Sequence, residues 1–79
     1  MKKIEAKKTK CLFLYVEPGD MFEDCNGNVY MKILEIDYKT HNSIHKVHKA
    51  NAISLGDSTL YCFEDNYYVT LLQFLFTKE

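Results

Sequence analysis

The chain has 79 residues, of which 47% are apolar and 14% aromatic, and its formal net charge at pH 7 is −1. This composition excludes a disordered chain, and the length allows one small domain. All ten basic residues are lysines. The guanidinium group that commonly reads guanine and phosphate is therefore absent, and nucleic acid is the weaker partner class.

The charge is unevenly distributed along the sequence. Residues 1–10, MKKIEAKKTK, contain five lysines and one glutamate, whereas residues 11–79 contain five lysines and ten acidic residues. A lysine-rich terminus is typical of a solvated segment. We therefore predict a flexible N-terminal arm over residues 1–10 and a single β-barrel domain over residues 11–79. In an alternative interpretation, the arm binds nucleic acid or nucleotides with help from aromatic stacking, through Lys2, Lys3, Lys7, Lys8 and Lys10.

Strand and turn signals alternate through the first half of the domain. Cys11–Val16 is apolar and rich in strand-forming residues, so it predicts a strand. Pro18-Gly19-Asp20 predicts a corner, because proline fixes φ and glycine relieves the turn. A short strand begins at Met21. Asn26-Gly27 then predicts a hairpin turn, since both residues tolerate positive φ, and a long strand follows over residues 28–36.

The second half contains three further predicted strands. Residues 38–48 are polar and fit either a long hairpin loop or one to two helical turns. Strands are predicted over residues 50–55 and 59–63, with a tight turn between them. Residues 67–76 are mostly tyrosine, valine, leucine and phenylalanine. A helix is the alternative there, but the strand-forming residues at the beginning of this run favour a strand.

Five or six antiparallel strands joined by short turns predict an all-β fold, and in particular a small SH3-like barrel or roll. An OB-like barrel is the alternative. It requires a helix between its third and fourth strands, and residues 38–48 are barely long enough to form one.

Turn residues and apolar residues recur in a fixed pattern between about Pro18 and Val69. The pattern consists of Gly19-Asp20-x-Phe22, Gly27-x-x-Tyr30-x-Lys32, Asn51-Ala52-x-x-Leu55, Leu60-Tyr61-x-Phe63 and Val69. It resembles short β-barrel proteins encoded by bacteriophages, most of which have no known function. The resemblance implies a small, phage-encoded cytoplasmic protein that works by binding, and it carries over no catalytic residues.

Three histidines in the polar segment have the spacing H-x3-H-x2-H: His41, His45 and His48. On a helix, this spacing places all three rings on one face, where they could hold zinc with a fourth ligand. On an extended segment His48 points away from the other two, and no site forms. We therefore expect no cofactor, with zinc as the alternative.

Acidic residues cluster around the corner and the first hairpin, and the chain has more tyrosines than a core of this size needs. Such a surface fits a basic surface on another protein. The predicted partner-binding residues are Glu17, Asp20, Glu23, Asp24, Tyr30, Tyr38, Tyr67 and Tyr68. The sequence shows no set of residues typical of a catalytic site. We therefore predict a non-enzymatic protein that binds and modulates or inhibits a host protein.

Two further expectations concern assembly and location. The last predicted strand is apolar on both faces, so we expect a homo-oligomer formed through the apolar terminal strands.

The three cysteines, Cys11, Cys25 and Cys62, include no Cys-x-x-Cys pair and fit neither a disulfide framework nor a zinc knuckle. Cys11 and Cys62 lie in apolar runs and are expected to be buried or incidental thiols. The longest apolar run near the N-terminus has six residues, so a cytoplasmic location is expected.

Overall fold

The computed structural model describes residues 2–42 and 45–78, and among them the side chains of residues 6–42 and 45–74. Its described part is almost entirely β-structure, with one short 3₁₀ turn at Phe13–Tyr15. The strands are β1 (Lys2–Leu12), β2 (Met21–Glu23), β3 (Val29–Tyr38), β4 (His48–Ser54), β5 (Leu60–Tyr61) and β6 (Tyr68–Lys78). The prediction of an all-β fold is therefore confirmed.

The strands form one antiparallel sheet in the order β1-β6-β2-β3-β4-β5. β6 lies between β1 and β2, so the two ends of the chain pair with each other. Within the described residues, β1 and β5 are the two edges and do not pair. The sheet is thus open and does not close into a barrel, the first of the two arrangements, barrel or roll, that the sequence predicts.

The N-terminal segment is a strand rather than the flexible arm predicted over residues 1–10. β1 pairs with β6 along its whole length, from Lys2 opposite Lys78 to Leu12 opposite Tyr68. An edge strand accepts many lysines, because charged side chains on an edge discourage pairing with other chains. The composition that indicated a solvated arm is therefore also the composition of a protected edge.

The predicted strand Cys11–Val16 ends earlier than expected. β1 ends at Leu12, and Phe13–Tyr15 forms the 3₁₀ turn. The amide of Phe13 donates a hydrogen bond to the carbonyl of Tyr67 at 2.8 Å. This turn carries the chain over one face of the sheet, where Phe13 and Val16 become buried.

The remaining predictions of local structure are mostly confirmed, except that the strand predicted over residues 59–63 is limited to β5, Leu60–Tyr61. Residues 67–76, where helix and strand competed, lie almost entirely in β6. Gly27 has the positive φ expected of the hairpin, +82°. In the segment 40–48, the described residues form turns and irregular backbone up to β4, and Ser43 and Ile44 lie outside the described residues. No helix in the described residues is long and apolar enough to cross a membrane.

The hydrophobic core lies on one face of the sheet. Phe22 is completely buried and contacts Phe13 edge-to-face, with ring centroids 5.3 Å apart. Phe63 packs against both rings at 5.2–5.4 Å. The other buried members of the cluster are Val16, Tyr30, Ala52 and Val69. Aromatic rings account for much of this small core, which explains the high aromatic content of the sequence.

Candidate functional site

An irregularity in the middle of the sheet creates the principal concave site. β3 and β4 lose their regular register between Lys32 and Ile36. Residues 33–35 of β3 therefore lie opposite a single residue of β4, Asn51. Extra residues on one strand disrupt the ladder and bend that strand. The opening lies beside the 3₁₀ turn and the segment that precedes β6.

Two adjoining cavities of about 250 Å³ each occupy this opening. They share Glu35, Asn51 and Asp65 as lining residues, and together they form what we call the acidic groove. Leu14 and Leu34 line the same groove and are 53% and 74% exposed. Exposed apolar side chains at the rim of a concave site are typical of a surface that binds a ligand or another chain.

The charged side chains around the groove are mostly acidic. Glu17, Glu35, Glu64 and Asp65 line it and are exposed. Lys32 is the basic residue among the lining residues. Its Nζ donates a hydrogen bond to the carbonyl of Phe13 at 3.1 Å and lies 4.3 Å from the centre of the Phe13 ring. Glu35 also forms an ion pair with Lys49 at 3.6 Å. The four carboxylates outnumber these two ammonium groups, so the groove keeps a net negative charge.

Hydrogen bonds hold both walls of the groove in place. The side-chain amide of Asn51 donates to the carbonyl of Phe63 at 2.9 Å and accepts from the Phe63 amide at 2.8 Å. The amide of Leu14 donates to the carbonyl of Asp65 at 3.1 Å. The groove is therefore preformed, which lowers the entropic cost of binding.

Two of the predicted partner-binding residues, Tyr30 and Asp24, contribute to the stability of the fold. Tyr30 is only 5% exposed, so it is not the surface aromatic that was predicted. Its hydroxyl donates to Asp24 at 2.8 Å. Burial and this hydrogen bond raise the pKa of Tyr30 to about 12. Burial opposes ionisation of Asp24, but hydrogen bonds from Tyr30, Asn28 and Asn26 outweigh it and lower the pKa of Asp24.

Three more of the predicted residues have partners within the chain. Asp20 accepts a hydrogen bond from the amide of Glu17 at 3.2 Å. Glu23 forms an ion pair with Lys8 at 3.2 Å. The ring of Tyr38 stacks on His48 with centroids 5.3 Å apart.

Tyr67 and Tyr68 are the predicted aromatic residues that remain exposed, at 38% and 66%. The Tyr67 hydroxyl donates to the sulfur of Cys25 at 3.7 Å, and the interaction raises the pKa of Tyr67. Tyr68 lines a separate cavity of about 270 Å³ beside the first hairpin, together with Lys10, Glu23 and Asp24. Of the eight predicted partner-binding residues, Glu17 is the one that lines the acidic groove.

The structure does not bring together the residues of the two alternative sites, the histidines of the zinc site and the lysines of the nucleic-acid site. His41 and His45 are exposed in the loop, whereas His48 lies in β4. Among the residues that the structure describes, no three histidine, cysteine, aspartate or glutamate side chains are placed to hold a metal ion. Zinc binding gains no support from this placement.

The lysines of the nucleic-acid alternative all belong to β1, where alternate side chains face opposite sides of the sheet. Lys7 therefore faces away from Lys8 and Lys10, and Lys8 is already paired with Glu23. The side chains of Lys2 and Lys3 lie outside the described residues. Nucleic-acid binding stays a prediction.

The cysteines are all free thiols. Cys25 and Cys62 are exposed and Cys11 is half-buried. Of the two alternatives predicted for Cys62, a buried or an incidental thiol, the buried one is wrong, because Cys62 follows the end of β5 and lines the groove.

Leu14, Leu34, Glu35 and Asp65 are groove residues that the sequence did not single out. The strand 28–36 has apolar residues on both faces, and this was the available signal that Leu34 would not be covered by one core. The break in register that exposes it has no glycine or proline to mark it.

Fold and site together define a small open antiparallel sheet with a preformed acidic groove. Comparisons of the chain with protein-family models, with curated proteins and with solved structures find no match.

Proposed function

We propose that this protein is a non-enzymatic binding module, and that it holds a basic, partly apolar segment of a partner protein in the acidic groove. The observation that carries the proposal is the break in register between Lys32 and Ile36, which opens a groove between exposed leucines and exposed carboxyl groups. Leucine side chains favour apolar residues of a partner, and the carboxyl groups favour its lysines or arginines.

The class of partner follows from the resemblance to short phage-encoded β-barrel proteins. A phage protein of this kind acts in the host cytoplasm, so the partner in this proposal is a host protein that is modulated or inhibited when its basic segment is occupied. The exposed Tyr67 and Tyr68 lie outside the groove and would extend the contact if the partner is large.

The proposal is tested with a fluorescein-labelled peptide of alternating arginine and leucine, with fluorescence anisotropy as the readout. The expected result is saturable binding that weakens as salt is added, because the charges lie at an exposed rim. The same peptide with glutamate in place of arginine should not bind. Failure of the basic peptide to bind at about 1 mM, where even a weak specific site would show occupancy, would contradict the proposal.

A matched pair of double variants separates the groove from general charge attraction. E17Q/D65N removes two negative charges from the groove, whereas E5Q/D57N removes one from β1 and one from the β4–β5 turn, two segments that do not line the groove. Exposed ion pairs contribute little individually, so we expect E17Q/D65N to weaken binding roughly 5-fold to 10-fold. E5Q/D57N should leave it nearly unchanged. Equal losses in the two variants would show attraction without a defined site.

A further inference from the structure

A row of apolar side chains crosses the sheet in register. Leu72 of β6 lies opposite Met21 of β2, and Met21 lies opposite Met31 of β3. Met31 lies opposite Ile53 of β4, and Ile53 opposite Leu60 of β5. Directly opposed residues of antiparallel strands point to the same side. These five side chains therefore form one continuous row, which we call the outer row.

The outer row lies on the face of the sheet opposite to the core. Its members alternate along their strands with residues that are buried in or packed against the core, such as Phe22, Tyr30 and Ala52. Leu72 is 8% exposed, and the other four members are partly exposed. The substantial contacts between strands in the described part of the chain join neighbours within the sheet, so none of these strands packs across this face.

The outer row continues into a larger apolar surface. Val29 is partly exposed on the same face, and Phe74 and Tyr68 are 42% and 66% exposed there. Six strands at a spacing of about 4.8 Å span roughly 24 Å, and from Tyr68 to Phe74 the face extends roughly 20 Å along β6. Its planar area is then at most roughly 480 Å² per copy, or roughly 1,000 Å² counted over both copies. This is at the lower end for a specific interface, so an association in the micromolar range is expected.

Charges at the two edges of this face are complementary to each other. Lys10 lies on β1, at one edge, and its neighbour on the same face, Lys8, is paired with Glu23. The β4–β5 turn, which contains the exposed Asp57, lies at the opposite edge. Lys10 lies opposite Thr70, and the amide of Leu55, in the turn, donates a hydrogen bond to the carbonyl of Val29. Thr70 and Val29 lie in the same row across the sheet, so Lys10 and the turn are at the same end of the strands.

We infer that the occupant of the outer face is a second copy of this chain. A two-fold axis parallel to the strands places the outer row of one copy on that of the other. It also brings the β1 edge of each copy over the β5 edge of its partner, so Lys10 meets the turn that contains Asp57. Closed two-fold dimers are the commonest symmetric assembly. This inference replaces pairing through the terminal strands alone with an interface across the whole sheet, and it does not depend on the groove.

The experiment is sedimentation equilibrium of the full chain from about 5 to about 200 µM, a range that brackets a micromolar dimer. We expect a monomer–dimer equilibrium for the natural sequence. Met31→Lys places a charge at the centre of the row and should weaken the dimer at least 10-fold. A purely monomeric natural chain, or a dimer that Met31→Lys leaves intact, would overturn the inference.

A charge exchange tests the arrangement of the two copies. K10E and D57K should each weaken the dimer, and the double variant K10E/D57K should restore it, because the reversed charges again face each other. Circular dichroism of each variant shows whether it is folded. If both single variants fold and weaken the dimer but the double variant fails to restore it, the two-fold arrangement is wrong.

Discussion

Removal of the Asp24 carboxylate should destabilise the protein more than its position in a surface hairpin suggests. Asp24 accepts hydrogen bonds from the amides of Asn26 and Asn28 at 2.9 Å, from the Asn28 side chain at 3.2 Å and from the Tyr30 hydroxyl at 2.8 Å. Tyr30 is buried in the core cluster, so the variant Asp24→Ala leaves a largely buried hydroxyl without its acceptor.

The size of the effect follows from these four bonds. Hydrogen bonds to charged groups contribute about 1.5–3 kcal/mol when shielded and less when exposed, so we expect Asp24→Ala to lower the free energy of unfolding by about 2–3 kcal/mol. A domain of this size has an m-value of about 1 kcal/mol/M in urea, so the unfolding midpoint should fall by about 2–3 M. Urea denaturation followed by circular dichroism measures this shift.

The matched control is Asp37→Ala, which removes an exposed carboxylate that forms an ion pair with the exposed Lys49 at 3.5 Å. Exposed ion pairs contribute little, so we expect its midpoint to change little. Equal midpoints for the Asp24→Ala and Asp37→Ala variants would refute the structural role given to Asp24.

The dependence of the free energy of unfolding on acidic pH is a second test of the role of Asp24. The pKa of Asp24 is lower in the folded state than the ordinary value of 3.8. Its stabilising effect is therefore complete above the unfolded-state pKa and is lost as the pH falls through the folded-state pKa. Asp24→Asn should flatten this acid limb of the stability curve.

Three further predictions concern the core, the groove wall and the hairpin. Between pH 10 and about 12, Tyr30 ionises in the unfolded chain but stays protonated in the folded one, so the free energy of unfolding should fall over this range. Tyr30→Phe should reduce this fall, and urea denaturation midpoints measure it. Asn51→Ala removes both side-chain hydrogen bonds to the Phe63 backbone and should cost about 1–3 kcal/mol, with faster amide exchange at Phe63. Gly27→Ala should cost about 1 kcal/mol because φ is +82°, whereas Gly56→Ala, with ordinary backbone geometry, should be tolerated.

Each of these predictions has a result that would contradict it. An unchanged alkaline limb in the Tyr30→Phe variant would mean that another group titrates there. Unchanged exchange at Phe63 after Asn51→Ala would mean that the groove wall is held by other contacts. Equal costs at Gly27 and Gly56 would mean that the hairpin does not require a left-handed residue.

The strands and turns could be predicted because their signals are local. Asn26-Gly27 marks the hairpin, and the strand-forming residues of 67–76 identify β6. β1 was missed because a count of lysines does not distinguish a solvated arm from a charged edge strand. The open sheet was missed because insertion of β6 between β1 and β2 is a long-range pairing that no local pattern specifies.

The candidate site was much less predictable than the fold. The acidic cluster around the first hairpin was visible in the sequence, but the hydrogen bonds with which Asp24 holds the hairpin were not. The groove depends on a change of register between Lys32 and Ile36, and its acidic residues come from segments far apart in the chain. The outer row likewise becomes visible only once the register of five strands is known.

The most direct test of the proposed binding function is a titration of isotopically labelled protein with the arginine–leucine peptide, followed by amide chemical shifts. The account predicts shifts concentrated at residues 13–18, 33–35 and 62–65, which form the walls of the acidic groove. It also predicts little change at the outer row. Shifts confined to the outer face or scattered over the acidic surface would contradict the assignment of the groove as the binding site.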